Sequence, residues 1–444
     1  INYSTLIYVL LYYHHFDSFG IIVTFASNLL KYSILTMQLN VADHIINDSF
    51  FDYIIKNIDC NDTSRLILKR ENVDFDKKFA VLQIECRNKT KNKLPEILKF
   101  EKYLFPKSIS AEQCTPEQVA KFHGELFAGC DHVLDMTMGL GVDSFYIAQN
   151  ANTVTSLEID REIAEIGKFN FSHMAPNITV INADSVDFIS NCSEFFSAIF
   201  IDPARRDANN KRMFGFADCM PNVIDLLPHI KRCTNRLIIK ASPMLDISKS
   251  ILELQFVTDI WILGIKNSCK ELLFSLDFSQ NAEIKEINIH AINFDSIIQR
   301  TDFQYLSTPN SPDNHFATPA EGNILFEPNA CIMKSGRTSQ LLSLYPSLEK
   351  IDVSSHLFLV SDANQLSQLP GRCFTIDKVI PFKDKELKQL RVYKELNVAT
   401  RNFKLTAEQL KSRLRVKDGG NNYLFGTTLH NGDMVLLLCT KATK

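Results

Sequence analysis

The sequence predicts an α/β fold built around a parallel, doubly wound sheet, and three observations lead to this prediction. Between residues 132 and 207, short apolar runs alternate with stretches of helical periodicity. The first run, His132–Met136, ends at a glycine turn, as expected of a strand buried on both faces. The later runs, in "VTSLEID", "INADSVDFI" and "AIFIDPARRD", each end on a small or acidic residue. Open α/β sheets hold ligands at the carboxyl ends of their strands, so this edge is the predicted site.

The turn after the first predicted strand combines glycines with oxygen-bearing side chains. Gly139 and Gly141 allow the backbone to pass close to a ligand. Asp143 is placed to cap the helix that follows the turn. We expect Asp135, Thr137 and Asp143 to line a ligand site together with the two glycines.

Carboxylates after the next strands indicate which ligand this is. Glu158 follows Gly139 by about 20 positions, the spacing of a ribose-binding carboxylate. Ser144 stands where a dinucleotide site needs a third glycine, and no GK[ST] sequence is present for a triphosphate. Asp135, Glu158 and Asp184 instead suit a cationic nucleoside with amino and hydroxyl donors, and S-adenosylmethionine is such a ligand. Glu158 is expected at the ribose hydroxyls and Asp184 at the adenine amine.

Taken in order, "LDMTMGLGVDSF", "SLEID", "NADSVDF", "FIDPARRD" and "LIIKASPMLD" resemble the motifs of class I methyltransferases. Over most of its length the chain resembles a bacterial, Bacteroidetes-type family with a THUMP-like C-terminal domain. Further segments carry this resemblance: "QIECRNKTKNKLPE" (83–96), "FADCMPNVIDLL" (216–227), "CKELLF" (269–274), "FEPNACIMKSG" (326–336) and "RNFKLTAEQLKSRLRVKDGGNNYLF" (401–425). The resemblance implies a Rossmann-like sheet, S-adenosylmethionine as cofactor, and action on RNA.

The segment "DPARRD" at residues 202–207 is similar to a strand end of base-amino methyltransferases. In those enzymes an acidic or amide residue and the following carbonyl accept hydrogen bonds from the target amine, while an aromatic residue stacks on the base. Asp202 and Pro203 keep this pattern, but Arg205 replaces the aromatic residue. A guanidinium can stack on a base or bind a phosphate. Asp202, Pro203 and Arg205 are therefore catalytic candidates, and Arg206 is a candidate for binding the substrate.

The charged residues near this segment could have structural roles instead of contacting substrate. Either arginine could form a salt bridge with Asp207 or Asp218 instead of contacting substrate. Lys240 ends the next predicted strand, where it could approach a phosphate or the substrate edge. It could equally pair with Asp202 as a structural strut. Both interpretations of Lys240 remain open at the level of sequence.

Thiolate chemistry is disfavoured by the sequence "KASP" at residues 240–243. Pyrimidine C5 methyltransferases commonly place a nucleophilic cysteine in a similar turn, where this chain has Ala241. Cys219 and Cys233 lie in the preceding segment, where isolated cysteines are usually small core residues. Methyl transfer to an amine or hydroxyl requires mainly in-line positioning.

Composition and charge restrict the protein class. With 45% hydrophobic and 22% charged residues, the chain of 444 residues is long enough for two or three folded domains. A formal net charge of −3 means that nucleic acid would be bound through local patches. The 11 cysteines include no CxxC pair, which favours a reducing cytoplasm over a disulfide framework or a zinc site. No metal site is expected.

The domain organisation is predicted from changes in pattern along the chain. Residues 1–36 are apolar and aromatic and precede Met37, so we interpret them as an upstream extension, with a membrane anchor as the alternative. The predicted domains are an N-terminal helical domain (37–108), the methyltransferase-like domain (109–278), a ferredoxin-like α+β module (279–325), a connecting α/β region (326–394) and the THUMP-like α+β domain (395–444).

Two segments are rich in bases. Residues 87–107 contain seven bases and two acids, for which a solvated helix face is the favoured interpretation over phosphate binding. Residues 401–417 contain six bases and one acid, and THUMP domains of other modification enzymes bind RNA. Candidate RNA-binding residues in this second segment are Arg401, Lys411, Arg413 and Arg415.

The sequence thus favours an S-adenosylmethionine-dependent methyltransferase that modifies RNA at an exocyclic amine of a base. Two alternatives stay open. The acceptor could be a protein or a small molecule, or the protein could bind RNA without catalysis and keep the cofactor fold as a scaffold.

Overall fold

The large sheet predicted from the sequence is present, and a second sheet follows it in the chain. A computed structural model describes residues 39–205, 215–279, 286–295, 300–306 and 316–442. Within these ranges the strands form a nine-stranded sheet, a seven-stranded sheet and two short ribbons. The predicted extension, residues 1–36, lies outside the described residues. The mixed α/β class with a large sheet is confirmed.

The secondary structure is numbered along the chain. The strands are β1 (Leu39–Val41), β2 (His44–Ile46), β3 (His132–Asp135), β4 (Thr153–Glu158), β5 (Ile178–Asn182), β6 (Ala198–Ile201), β7 (Ala204–Arg205), β8 (Cys219–Met220), β9 (Arg236–Ala241), β10 (Val257–Ile265), β11 (Ser268–Asp277), β12 (Asn288–Phe294), β13 (Arg300–Leu306), β14 (Ile324–Pro328), β15 (Leu348–Lys350), β16 (Phe358–Val360), β17 (Gly371–Pro381), β18 (Asn397–Arg401), β19 (Asn422–Thr428) and β20 (Met434–Lys441). The α-helices are α1 (Asp48–Lys56), α2 (Thr63–Leu68), α3 (Lys77–Thr90), α4 (Ser108–Gln113), α5 (Glu117–Glu125), α6 (Val142–Ala148), α7 (Arg161–Met174), α8 (Ser185–Asn191), α9 (Val223–Cys233), α10 (Ile247–Leu254), α11 (Ala330–Ser335), α12 (Leu341–Leu344), α13 (Asp384–Leu387) and α14 (Ala407–Leu414).

The strand order of the large sheet is that of a doubly wound fold with additional strands at one edge. The order is β13-β12-β10-β11-β9-β6-β3-β4-β5. Strand β6 runs parallel to both β3 and β9, whereas β11 runs antiparallel to β9 and β10. The chain proceeds outward from β3 through β4 and β5 and then returns to β6 on the other side of β3. This reversal is the switch point of a doubly wound sheet.

The described chain divides into two compact units, which are considered separately. The first contains residues up to Lys121 together with Met138–Gln149 and Ser156–Asn182. The second contains Phe122–Thr137, Asn150–Thr155 and the chain from Ala183 onward.

In the first unit, helices α1, α2 and α3 surround an apolar cluster that includes Phe50, Phe79 and Ile84. The Asn47 side chain caps α1, and the Asp76 side chain caps α3. The apolar segment "FAVLQIE" (79–85) lies inside α3. Its apolar residues are buried on more than one side of the helix, so the helical period is not visible in the sequence.

In the second unit, the strands after residue 278 continue the large sheet. Strand β12 pairs in parallel with β10, and β13 pairs antiparallel with β12. The predicted boundary between the methyltransferase-like domain and a ferredoxin-like module at 279–325 therefore falls between neighbouring strands of one sheet. The physical reason is that edge strand β10 still offers unpaired backbone groups, which β12 satisfies. Sequence periodicity does not show to which edge a strand will pair.

The seven-stranded sheet also belongs to the second unit, and its order is β15-β16-β14-β17-β20-β19-β18. Strand β17 joins β14 to β20, so the predicted boundary between 326–394 and 395–444 divides this sheet. Leu410 and Leu414 of α14 pack in an apolar cluster with Leu424 and Leu436 of the sheet. Among the helices in the described part of the chain, none has the length and apolar character needed to cross a membrane.

A buried carboxylate connects three strands of the seven-stranded sheet. Glu327 of β14 is 0% exposed and forms ion pairs with Arg372 of β17 and Arg401 of β18, the latter at 2.7 Å between Arg401 Nη2 and Glu327 Oε1. The carboxylate is buried, whereas the side chains of Arg372 and Arg401 are 40% and 26% exposed, so water partly screens the two guanidinium charges.

We expect Glu327→Gln to lower the free energy of unfolding by about 1–3 kcal/mol, because it removes the charge of a buried acceptor whose two guanidinium partners are partly screened by water. Urea unfolding followed by circular dichroism measures this. The matched control is Glu408→Gln, whose side chain is 82% exposed beside Lys411 and should change stability little. Equal stability of the two variants would contradict the structural role of Glu327.

Candidate cofactor and acceptor site

In the first unit, the glycine turn follows β3 in the chain and leads into α6. Both glycines have left-handed backbone, with φ of +55° at Gly139 and +80° at Gly141. A Cβ on Gly141 would lie 2.5 Å from the Phe171 ring, whereas a Cβ on Gly139 would meet nothing within 4 Å. Gly141 therefore serves close packing, and Gly139 leaves open space above the turn. Open space at a bare backbone is what a closely approaching ligand requires.

Glu158, at the end of β4, is tied to this turn by its side chain. Its carboxylate accepts hydrogen bonds from the Gly139 amide at 2.9 Å and from the Asp160 amide at 2.8 Å. The Asn182 side-chain amide donates to the backbone carbonyls of Glu158 and Ile159. The structure thus brings Gly139 and Glu158 together, as the spacing predicted, and fixes the carboxylate by backbone contacts that the spacing did not predict.

Asp143 has a different role from the predicted helix cap. Helix α6 begins at Val142, with Gly141 at the cap position and no side-chain cap. Asp143 is therefore inside the first turn, where its charge still favours the helix dipole. Its carboxylate is largely buried and accepts a hydrogen bond from the Thr115 hydroxyl at 2.7 Å. The expected cap was wrong because the helix starts one residue before Asp143 and its capping position is a glycine.

In the second unit, short hydrogen bonds join the ends of β3 and β6. Asp135 is fully buried, and its carboxylate accepts from the Thr137 amide at 3.0 Å. The Thr137 hydroxyl oxygen in turn accepts from the Asp202 amide at 2.7 Å. Asp135 and Thr137 were predicted at the end of one strand and Asp202 at the end of another, and the structure places the three in one hydrogen-bonded series.

The Asp202 side chain starts a series of charged groups that continues into the sheet. Lys240 of β9 donates to Asp202 at 2.7 Å, so the predicted strut is observed. The Lys240 ammonium also lies 3.9 Å from Glu271 of β11, and Glu271 lies 2.5 Å from His123 of α5. Glu271 and His123 were missed in the sequence. The available signal was a lone glutamate in the otherwise apolar strand "ELLFSL".

The remaining residues of the predicted acceptor site are placed as follows. Backbone pairing of β7 with β8 joins Ala204 to Met220 and Arg205 to Cys219, which shapes the turn after Pro203. Arg206 lies outside the described residues. Asp184 caps helix α8, because its carboxylate accepts from the Val186 amide at 2.7 Å.

The bases of residues 87–107 are mostly used inside the first unit. Arg87 is buried and donates to the backbone carbonyls of Glu101 and Tyr103. Lys107 lies 2.6 Å from Asp160, and this ammonium lowers the pKa of the Asp160 carboxyl. Further pairs in this segment are Lys89 with Glu85 and Glu112, Lys99 with Glu96, and Lys102 with Asp48. These contacts support the structural interpretation of this segment.

The bases of the C-terminal segment are placed differently from one another. Arg401 is committed to the ion pair with Glu327, and Lys411 lies 2.7 Å from Asp418. Arg413 lies on the Phe382 ring and pairs with Asp384. Arg415 follows α14 in a left-handed conformation with an exposed side chain. Exposed bases just upstream were not singled out from the sequence: Lys383, Lys385, Lys388, Arg391 and Lys394.

Metal binding was not expected, and the described residues contain no group of three or more His, Cys, Asp or Glu side chains arranged to hold a metal ion.

Comparison with known proteins finds a family match and similar proteins. A family model described as THUMP domain-like matches residues 371–441, which begins at β17, upstream of the predicted boundary at 395. A Mycoplasma mobile protein named as an RNA methyltransferase is 31% identical over 77 residues, which are 17% of this chain and 21% of that protein. The chain thus spans about a fifth of the length of this curated relative.

The chain is also similar to a Porphyromonas gingivalis W83 protein that is known from its crystal structure and named as a methyltransferase. The two are 25% identical, with a TM-score of 0.75, and the likeness covers 89% of this chain and 98% of that protein. The fold, the motifs and these likenesses support the resemblance to class I methyltransferases, with a THUMP domain-like region at residues 371–441.

Proposed function

We propose that this protein transfers a methyl group from S-adenosylmethionine to RNA, at an exocyclic amine of a base. The observation that carries the proposal is the setting of Asp202. This carboxylate ends a central parallel strand, its side chain is 39% exposed, and it is held by the Lys240 ammonium while its amide is held by Thr137. A fixed acceptor group at the switch point of such a sheet is suited to orient a substrate.

The cofactor is assigned from the groups around the glycine turn. Gly139 would let the nucleoside approach the backbone, and Glu158, already fixed at the turn, would accept hydrogen bonds from the ribose hydroxyls. In the first unit, Gly141 and Asp143 would shape this surface. In the second unit, Asp135, Thr137 and Asp184 stay candidates from the sequence, Asp184 for the adenine amine. The open space at Gly139 fits this assignment. S-adenosylmethionine, when bound, supplies a methyl group on a sulfonium sulfur that is a good leaving group.

Asp202 and Pro203 would act on the acceptor amine. The Asp202 carboxylate and the Pro203 carbonyl would accept hydrogen bonds from the N–H groups, which directs the nitrogen lone pair toward the methyl group. The same hydrogen bonds strengthen as positive charge develops on the nitrogen, so they stabilise the transition state more than the ground state. Arg205 and Arg206 would contact the base or its phosphates.

A thiolate mechanism finds no support in the described residues around this site. Ala241 occupies the place of a nucleophilic cysteine. Cys219 and Cys233 are buried, and burial raises the pKa of the Cys233 thiol. Because the thiol and not the thiolate is then favoured, an amine acceptor that needs no covalent intermediate is the better assignment.

RNA is assigned as the substrate from the bases of residues 383–417 and from the THUMP domain-like match to this region. Two of these bases contact the ring of Phe382, with Lys404 Nζ at 4.9 Å and Arg413 Cζ at 5.1 Å from its centroid. Arg415 and Lys417 are exposed beside them. Such a surface can follow a phosphate backbone by charge while the rest of the chain is slightly acidic overall.

The decisive test of the acceptor compares modified nucleosides by mass spectrometry in total RNA from a strain that lacks the gene and from its parent. We expect one methylated nucleoside to be missing, and its identity names the modified atom. If all RNA methylation persists, labelled methyl groups transferred into a lysate, with and without ribonuclease, would identify a protein or small-molecule acceptor. No transfer and no cofactor binding would indicate a non-catalytic protein.

Replacement of the acceptor carboxylate should separate turnover from cofactor binding. We expect Asp202→Ala to lower methyl transfer roughly 100-fold or more, because it removes a group that acts on the amine, while the Kd for S-adenosylmethionine stays nearly the same. Calorimetric titration and a labelled-methyl assay measure the two quantities. Asp202→Asn tests the loss of charge at nearly constant volume, and Asp187→Ala, in the exposed part of α8, is the control. Unchanged turnover of Asp202→Ala would count against this site.

The two glycines should respond differently to alanine. We expect Gly139→Ala to raise the Kd for S-adenosylmethionine roughly tenfold, with a backbone strain of about 1–2 kcal/mol as its only structural cost. Gly141→Ala adds the clash with Phe171 to the same strain and should lower Tm more. Thermal unfolding of each variant measures Tm, and calorimetric titration measures the Kd. If Gly139→Ala binds S-adenosylmethionine as tightly as the wild type, the open space at Gly139 is not part of the cofactor site.

Charge reversal among the bases of residues 383–417 should weaken RNA binding and reduce its dependence on salt concentration. We expect the double variant Arg415→Glu with Lys417→Glu to lower RNA affinity, and the slope of log K against log salt to fall by about 2, one for each lost phosphate contact. Filter binding at several salt concentrations measures both. Lys378→Glu, an exposed lysine of β17 outside residues 383–417, is the control. The same loss in both variants would indicate a nonspecific charge effect.

A further inference from the structure

Four charged or titratable side chains form a continuous series in the second unit, from the surface into the core. Asp202 is 39% exposed, Lys240 is 11% exposed, Glu271 is 8% exposed and His123 is 0% exposed. They come from four elements, β6, β9, β11 and α5. The series ends beside the ring of Phe200, whose centroid lies 5.8 Å from that of the His123 imidazole.

Within this series, the orientation of Lys240 depends on Glu271, and that of Glu271 depends on His123. Lys240 is largely removed from water, and one carboxylate at 2.7 Å does not fix the direction of an ammonium that can rotate about its stem. Glu271 supplies a second negative charge, 3.9 Å from the Lys240 ammonium. Glu271 itself is fixed by His123 at 2.5 Å, and because a carboxylate accepts, the His123 Nε2–H is the donor.

We infer that Glu271 and His123 are positioning residues for methyl transfer: through Lys240 they fix the orientation of the Asp202 carboxylate that faces the acceptor amine. This inference rests on the proposed function and deepens it, because it concerns two residues to which no role was assigned from the sequence. Neither residue touches the substrate. Their effect is on the geometry of Asp202, and a displacement of about 1 Å at a reacting group can lower turnover roughly 100-fold.

The expected kinetic signature is a change in kcat without a change in KM. Glu271→Gln keeps the shape of the side chain and removes its charge, so kcat should fall roughly 10–100-fold while KM for cofactor and RNA stays within about twofold. The same substitution in a Lys240→Gln background should cause no further loss, because both changes release the same carboxylate. Additive losses in the double variant, or normal turnover of Glu271→Gln, would overturn the inference.

Conservative replacement of His123 separates positioning from packing. His123→Gln retains an N–H donor for Glu271 and should keep most of the turnover, whereas His123→Leu fills the space without a donor and should behave as Glu271→Gln does. The matched control is His290→Gln, since His290 forms a similar pair with Asp259 at 3.2 Å on β12 and β10, apart from Lys240. Equal turnover of the two His123 variants would overturn the inference.

A readout without catalysis keeps this test distinct from that of the proposed function. In protein labelled with 15N-histidine, the His123 imidazole signal should shift in Asp202→Asn and in Lys240→Gln, while the His290 signal stays in place. If the wild type transfers no methyl group to any acceptor, the proposed function fails, and the histidine signals still decide whether the four side chains act as one unit. If the His123 signal has the same chemical shift in both variants as in the wild type, the inference is overturned.

Discussion

The proposed acceptor site depends on the ion pairs of the Lys240 ammonium with Asp202 and Glu271. A cation that is largely withdrawn from water is tolerated only where carboxylates compensate for the lost hydration. Those carboxylates come from the strands on either side of β9, and their contacts with Lys240 require the register in which β6 and β11 flank it. The packing of the sheet and the placement of the Asp202 carboxylate are thus parts of the same arrangement.

In the glycine turn, backbone groups rather than side chains determine the geometry. Gly141 has no side chain because the Phe171 ring occupies that space, while Gly139 has none although space is available. Glu158 then uses its carboxylate to hold the Gly139 amide. A carboxylate that already accepts from backbone amides loses little entropy when it also accepts from a ligand, so this turn is organised before any ligand arrives.

The two base-rich segments demonstrate that charge density alone does not define a nucleic-acid surface. In residues 87–107 the bases pair with nearby acids or donate to carbonyls, and Arg87 is even buried. In residues 383–417 more of the bases are exposed, and aromatic rings lie among them. The difference lies in the neighbours that the fold supplies, since a paired lysine has already exchanged its water for a carboxylate.

The sequence by itself determined the α/β class, the order of strand, turn and helix from His132 to Asp202, and the candidate residues at the strand ends. These features are local, because glycine turns, apolar runs and acidic strand ends are visible within a few residues. It also paired Gly139 with Glu158 by spacing alone. Only the tertiary structure decided that β12 and β13 extend the large sheet, that Arg401 serves a buried ion pair, and that Glu271 and His123 stand behind Lys240. His123 and Glu271 are separated by 148 positions in the chain, and no periodicity or spacing encodes which distant side chains the packing of a sheet will bring within hydrogen-bonding distance.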